Sequence, residues 1–527
     1  MSTKLFEKKG KSAYKTIPSA VIYLVFFLLL FEVINAKNDF HVDEIYSYSL
    51  SNSPDGLFLQ IEDGVRYSPV NELTDGYLTV SEENRFHYDM VYVNQKSDVP
   101  PPVYYMILHT ICSLFPNTFS IWFAASINIV SLMLTLYFQR RILRKLELTE
   151  DVIFLISFAY VTSSGILGSA AFLRMYCLTQ LMVSMITCCF IELTEDFSTR
   201  NLVILFLVSV VSALTHYYCI IYLVAMSVFA GVRMLCRKEY KNTLSFSLVM
   251  AGAGVNSIIL FPAMIKHMFL EKRGAQSIVN LKNSPFLTRC FQYFQIVNTQ
   301  LFGRLLLLFL VFSFIMILIN RTQGTSIKNK VKTIYEMIFF TVAVYFVFVS
   351  KTAVYISGRY MYPIYSILLI SFLSLFFQEA ENCMKNVKWR QVLYVLIVIA
   401  VSILALINNN WQYVYPERRD DMNMIDGMSK YDCYCIYDQN QWRLYPQLNE
   451  FNHYNGLTVF NMAKYDKKDI ISQISGDSCI LTVIMKSDHE TDEYDAYVSK
   501  VLAMLDDDYV ADEIGFHGYG KSYFIHR

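Results

Sequence analysis

From Ile17 to Asn408 apolar runs recur along the chain, and the short gaps rich in lysine and arginine alternate with gaps that are not. A helix needs about 20 apolar residues to cross the hydrocarbon of a bilayer, and lipid tolerates no backbone whose hydrogen bonds are left open. The pattern therefore predicts an all-α polytopic membrane protein. Composition agrees: of 527 residues 54% are hydrophobic, 15% aromatic and only 17% charged, apolar-rich and charge-poor beside a soluble domain. A net charge of zero, with no helix-turn-helix, zinc-finger or RNA-binding signature, points to no nucleic-acid partner. The eleven cysteines lie mostly inside apolar runs and form no CxxC pair, so no zinc spacing or disulfide framework is evident.

Spans are expected at residues 17–36 and 119–138, twice within 152–193 with a split at 168–176, and at 201–216, 217–235, 244–265, 301–319, 334–349, 360–377 and 392–408, about eleven in all. The first run lacks the cleavage pattern of a signal peptide and is read as retained. Lys4, Lys8, Lys9, Lys11 and Lys15 precede it, and further basic clusters fall at 140–145, 237–241, 321–332 and 385–390. The positive-inside bias puts all of these in the cytoplasm and the C-terminus outside, in a plasma (cell) membrane protein. Val103–Phe115 is apolar but half a bilayer long, the length of a surface-lying or partly inserted helix. Residues 1–409 thus form a transmembrane domain with an external loop at 37–117. Residues 410–527, charged and turn-rich, form a small extracytoplasmic α/β domain with short β-like runs at 434–437, 457–460, 479–485 and 523–525 and a helical stretch at 496–505.

Ionisable residues near a membrane are functional suspects, and here they share the external side: Asp43, Glu44, Arg174, His216, Lys266, Lys351 and Arg359. Arg174 sits in Leu173-Arg174-Met175-Tyr176 and Arg359 in Gly358-Arg359-Tyr360-Met361-Tyr362. A snorkelling side chain explains any one of these basic residues. Together, guanidinium forks among tyrosines suit a phosphate carried on a lipid. His216, in Thr215-His216-Tyr217-Tyr218, fits a general acid, a metal ligand, a hydrogen bonder to phosphate or a structural role. His109 and Cys112 stand at helical spacing without further ligands, so no metal is assigned, and a divalent cation stays compatible with the chemistry. An external carboxylate with outward cations is the set needed to move a sugar off a lipid phosphate. The leaving phosphate departs unprotonated, one carboxylate takes the acceptor's proton, and cations stabilise the leaving charge.

Phe40-His41-Val42-Asp43-Glu44-Ile45-Tyr46 after a single span, followed by Asp98-Val99-Pro100-Pro101-Pro102-Val103-Tyr104-Tyr105, resembles the protein O-mannosyltransferase-like branch of the GT-C glycosyltransferases, family 39. Leu173-Arg174-Met175-Tyr176, Thr215-His216-Tyr217 and Arg359-Tyr360 are similar to family sequences at corresponding places, and the likeness covers about residues 15–380. It implies an inverting transfer from a polyprenyl-phosphate sugar to a glycan, lipid or protein acceptor on the outer face. Asp43 would be the base, with Glu44 orienting the acceptor or a basic neighbour. Arg174, His216, Lys351 and Arg359 would hold the donor phosphate, and Tyr46, Tyr104, Tyr105, Tyr176, Tyr217 and Tyr360 would line the cavity. Two departures stand out. Pro100 replaces the family's usual His, and Ser120–Ser126 lacks the arginine often found where the second span starts.

Two other readings fit parts of the pattern: a transporter or flippase of lipid-linked or envelope glycans, and a scaffold whose external domain binds a partner. Transporters place ionisable groups near mid-membrane and show paired halves. Here the charges crowd one face and no repeat is evident.

Overall fold

The computed structural model describes residues 3–325, 327–384, 386–438, 440–465, 467–474, 477–486, 491–505 and 508–527, with backbone alone at 3–18, 272, 467–469, 491 and 492. Lys385 of the inner flank, and the side chains of the five N-terminal lysines, lie outside the described residues. The chain packs as two compact units: Met1–Asn35, Gln95–Tyr104 and Ala124–Trp411 form the first, and Ala36–Asn94, Tyr105–Phe123 and Gln412–Arg527 the second.

Among the described residues seven helices are long and apolar enough to cross a membrane: Ile121–Lys145, Tyr176–Glu195, Tyr217–Cys236, Tyr240–Leu260, Asn329–Thr352, Tyr362–Cys383 and Val387–Asn408. Two bent pairs, Glu150–Val161 with Ser164–Ala171 (46°) and Phe286–Phe302 with Leu306–Thr322 (84°), bring the count to nine. The remaining two of the expected spans are shorter apolar helices, Ser19–Asn35 and Thr199–Ala213. The first is the apolar end of a 33-residue helix whose beginning is charged. The second stops when the chain turns at Leu214-Thr215-His216. This is a multi-pass membrane protein.

Residues 266–300, which separate the expected spans 244–265 and 301–319, are helical: Ala263–Phe269, Lys272–Asn283 and Phe286–Phe302. In the last of these Tyr293, Val297 and Leu301 recur every fourth residue and are buried, the spacing of one helix face. The 84° bend that follows depends on Gly303, whose φ is +55°. A Cβ there would lie 2.5 Å from Leu404 Cβ and 2.7 Å from the Ala405 backbone nitrogen, so only glycine fits.

The second unit is built on a six-stranded sheet: β1 (Arg66–Tyr67), β2 (Asp432–Tyr437), β3 (Gly456–Asn461), β4 (Ser478–Ile484), β5 (Val510–His517) and β6 (Gly520–His526), in the order β1-β3-β2-β4-β6-β5. The three central strands are parallel and the rest antiparallel. Ile436, Phe460, Leu481, Val483 and Ile525 form its core with Tyr494, Val498 and Val501 of the Thr491–Leu502 helix. Parallel strands buried on both faces read as continuous apolar runs, which is why β2, β3 and β4 are visible in the sequence. The edge strand β5 exposes Asp512 and Glu513 and carries no such run. β1 is two residues of the segment that follows the first apolar helix, and Arg66 forks onto Asp432 with two 2.8 Å bonds.

Candidate functional site

Asp43 and Glu44 open the helix Val42–Asn52. Acidic residues suit the first turn, where unsatisfied N–H groups carry partial positive charge. His41 caps it: its Nδ1 accepts from the Asp43 backbone N–H at 3.1 Å, while the His41 N–H donates to Glu44 Oε2 at 2.6 Å. Both halves of a capping box are therefore present, with His in the place usual for Ser or Thr. Because Nδ1 is an acceptor, the ring proton lies on Nε2 and His41 is neutral in this arrangement.

The two carboxylates differ in circumstance. Glu44 is fully buried, and its Oε2 also takes a 3.0 Å bond from the Lys37 ammonium. Lys37 is likewise buried, donates to the Tyr413 carbonyl at 2.6 Å and lies over the rings of Phe40 and Tyr415. Burial pulls the Lys37 pKa down, and the Glu44 carboxylate opposes that pull. Asp43 keeps 24% of its side chain exposed, 3.7 Å from His41 Nδ1. Glu44 is thus engaged in holding the segment, and Asp43 is the carboxylate of the pair that meets water.

A second group lies within the helical unit. Asn128 donates to the Ala170 and Phe172 carbonyls at 3.0 and 2.9 Å, which satisfies the end of one helix and shapes the turn carrying Arg174. His216 caps the Tyr217–Cys236 helix, its Nδ1 accepting from the Tyr218 N–H at 3.0 Å. Its ring lies 5.5 Å from Tyr176 and 4.8 Å from Tyr218. Arg359 rests over Phe172 (5.9 Å) and Tyr360 (5.3 Å), and Tyr218 meets Tyr360 edge-on at 5.6 Å. Arg174 is buried at 7% exposure. Burial first, and then the charges of Arg174 and Arg359, push His216 down to about 3. The imidazole is neutral at physiological pH, with Nδ1 occupied and Nε2–H a donor. Two guanidiniums and a neutral N–H donor in an aromatic setting have the chemistry of an anion site.

The other sequence-expected residues are placed elsewhere. Lys351 ends the Asn329–Thr352 helix and donates to the Ser284 carbonyl at 2.6 Å, so it ties that helix to the segment after Lys272–Asn283. Tyr217 gives its hydroxyl to His267 Nδ1 at 2.8 Å. Tyr104 and Tyr105 are fully buried, and Tyr46 packs edge-on against Tyr445 at 5.8 Å. Sequence reasoning gave no role to Lys37, Phe172 or Tyr218. The spacing His41-x-x-Glu44 was the available sign that Glu44 belongs to a helix cap. Among the described residues no three His, Cys, Asp or Glu side chains gather as a metal site.

No family model matches the sequence, and no curated protein does. Solved structures do match. ArnT from Cupriavidus metallidurans bound to undecaprenyl phosphate has a TM-score of 0.52 at 11% identity, covering 97% of this chain and 98% of that one. The same protein in the apo state gives 0.51 at 11% identity, covering 98% of each chain. The chain is a mostly helical, multi-pass membrane protein with a small C-terminal sheet region, and its fold is similar to that of ArnT over nearly its whole length.

Proposed function

We propose that the protein is a membrane glycosyltransferase that moves a hexosyl or pentosyl group from a polyprenyl-phosphate-linked donor to a glycan, lipid or protein acceptor on the external face. The acceptor oxygen attacks the anomeric carbon and its proton passes to Asp43. The bond from that carbon to the phosphate oxygen breaks, its electron pair leaving on polyprenyl phosphate. A single displacement of this kind inverts the anomeric centre. Arg174, Arg359 and the Nε2–H of His216 receive the phosphate. A charged ligand in a partly dry site interacts with them far more strongly than in water.

The observation that carries this reading is the division of labour at the start of the Val42–Asn52 helix, where Glu44 neutralises Lys37 and completes the cap while Asp43 is left half-buried with access to solvent. The whole-chain likeness to ArnT, in one structure bound to undecaprenyl phosphate, supports the donor class. Purified protein given a synthetic polyprenyl-phosphate sugar and an envelope extract as acceptor source should release polyprenyl phosphate, and Asp43→Asn should not. Release at the same rate from both proteins would remove Asp43 as base. No release from any preparation, combined with movement of the lipid between leaflets, would make the protein a flippase.

A further inference from the structure

The acidic segment is gripped residue by residue from one stretch of chain. The Lys37 ammonium donates to the Tyr413 carbonyl at 2.6 Å. The Asn38 backbone N–H donates to the Val414 carbonyl and its amide to the Tyr415 carbonyl, each at 2.9 Å. Asp39 Oδ2 accepts from Arg418 Nε at 3.1 Å, and its Oδ1 accepts from the Phe40 N–H at 2.8 Å. The Phe40 carbonyl accepts from His517 Nε2 at 3.0 Å, and the His41 ring packs edge-on against Tyr413. Five consecutive residues, Lys37 to His41, are each held by residues of 413–418 or by His517.

Arg418 is the anchor of this grip. It is 1% exposed, and beyond Asp39 it donates to Asp421 and Glu450, each at 2.8 Å. Glu450 in turn accepts from Tyr454 and Ser522, so Asp39 is wired through one guanidinium to the sheet. Gly515 lies so close that a Cβ would meet Asp421 Oδ2 at 2.2 Å and Arg418 Nη1 at 2.7 Å. Tyr415 itself is held at φ +56°, a left-handed conformation that is unfavourable for a non-glycine residue and persists where the surroundings demand it. A guanidinium among three carboxylates is an expensive way to stabilise a domain. As a device for fixing one segment's position it has three directions of constraint.

We propose that residues 413–418, with Arg418 at their centre, are the positioning apparatus for Asp43, and that the C-terminal region has this role in the transfer reaction. Arg418 is a positioning residue acting through Asp39 and the His41 cap. The inference rests on Asp43 being the base. A misplacement of about 1 Å at a reacting group can cost about 100-fold in rate. Lysine cannot replace the three-way fork, because an ammonium lacks the planar geometry.

The test uses the full-length protein and has two arms. In the first, Asp43→Cys is introduced and the labelling rate of that thiol by a membrane-impermeant reagent is compared with Arg418, Arg418→Lys and Arg418→Met, subtracting the parent without the introduced cysteine. The rate should change about fivefold or more for Met and less for Lys, in samples whose thermal unfolding shows a folded protein. Where Arg418→Met does not fold, Arg418→Lys and Asp39→Asn supply the comparison. In the second arm, kcat should fall about 10- to 100-fold for Arg418→Met while KM for the donor stays within about twofold. Unchanged labelling in a folded variant overturns the proposal, and so does a loss of Tm with kcat intact. If no preparation transfers sugar, the glycosyltransferase reading fails, and the labelling arm alone decides the positioning role.

Discussion

Oε2 of Glu44 serves both the Lys37 ammonium and the His41 N–H, whereas 24% of the Asp43 side chain meets solvent. Substitution should separate the two. Asp43→Asn keeps the shape and loses the base, so transfer should fall about 100- to 10,000-fold with the unfolding midpoint nearly unchanged. Glu44→Gln leaves Lys37 buried without its counter-ion and should cost about 3–5 kcal/mol of stability, read as a lowered midpoint in detergent. Arg359→Ala should lower transfer at limiting donor about 10- to 150-fold, with Arg359→Lys only partly restoring it, since a charge-assisted contact is worth about 1.5–3 kcal/mol. His216 adds a pH signature. Its folded pKa, about 3, lies below the ordinary histidine value of 6.5. Between those values the unfolded chain binds the proton more readily, so stability is full above 6.5 and declines as pH falls towards 3. The midpoint of wild type should therefore drop more between pH 6.5 and 4 than that of His216→Gln, and equal slopes would place the sensitivity in another group. Asp43, Arg174, His216 and Arg359 were picked out because each sits in a short local pattern. The basic neighbour expected for Glu44 is Lys37, but how firmly that pair is seated was not legible, because Lys37 is itself held by Tyr413, 376 residues away.

Among elements, the apolar runs made the helices legible and gave no sign of their bends. The 84° break before Leu306–Thr322 turns on Gly303, and sequence spacing does not distinguish such a glycine from one that merely ends a helix. Gly303→Ala should strain the left-handed position and press on Leu404, costing about 1–3 kcal/mol. A lowered thermal midpoint, with transfer per folded molecule retained, is the expected result, and an unchanged midpoint would mean the helix ends can spread. The same limit appears in the sheet. β2, β3 and β4 announce themselves as Val- and Ile-bearing runs, while β1 is two residues that become a strand only through pairing with β3. Helices at 263–302 were hidden because charged residues interrupt their apolar face, and a loop has the same average composition.

Each unit of the whole molecule is assembled from three separated stretches of chain, a property that composition shifts along a sequence cannot reveal. Its orientation is testable directly. Thiols introduced at Asp55, Lys282 and Asp420, all exposed, should react with an impermeant reagent in intact cells, and a thiol at the exposed Gln323 should not. Labelling at Gln323 would invert the protein and put Asp43 in the cytoplasm. The grip on residues 37–41 also sets an order of events during synthesis. Lys37 emerges long before Tyr413, and at about 5–20 residues per second the wait is on the order of 20–75 s. Throughout that interval Lys37 and Glu44 have each other and none of the partners supplied by 413–418. A nascent chain that stalls anywhere in the bundle therefore carries an unseated acidic segment. If 413–418 position Asp43 as proposed, competence to react requires that translation has passed Arg418 and His517, and copies that stop short of them in the membrane should be silent towards the donor.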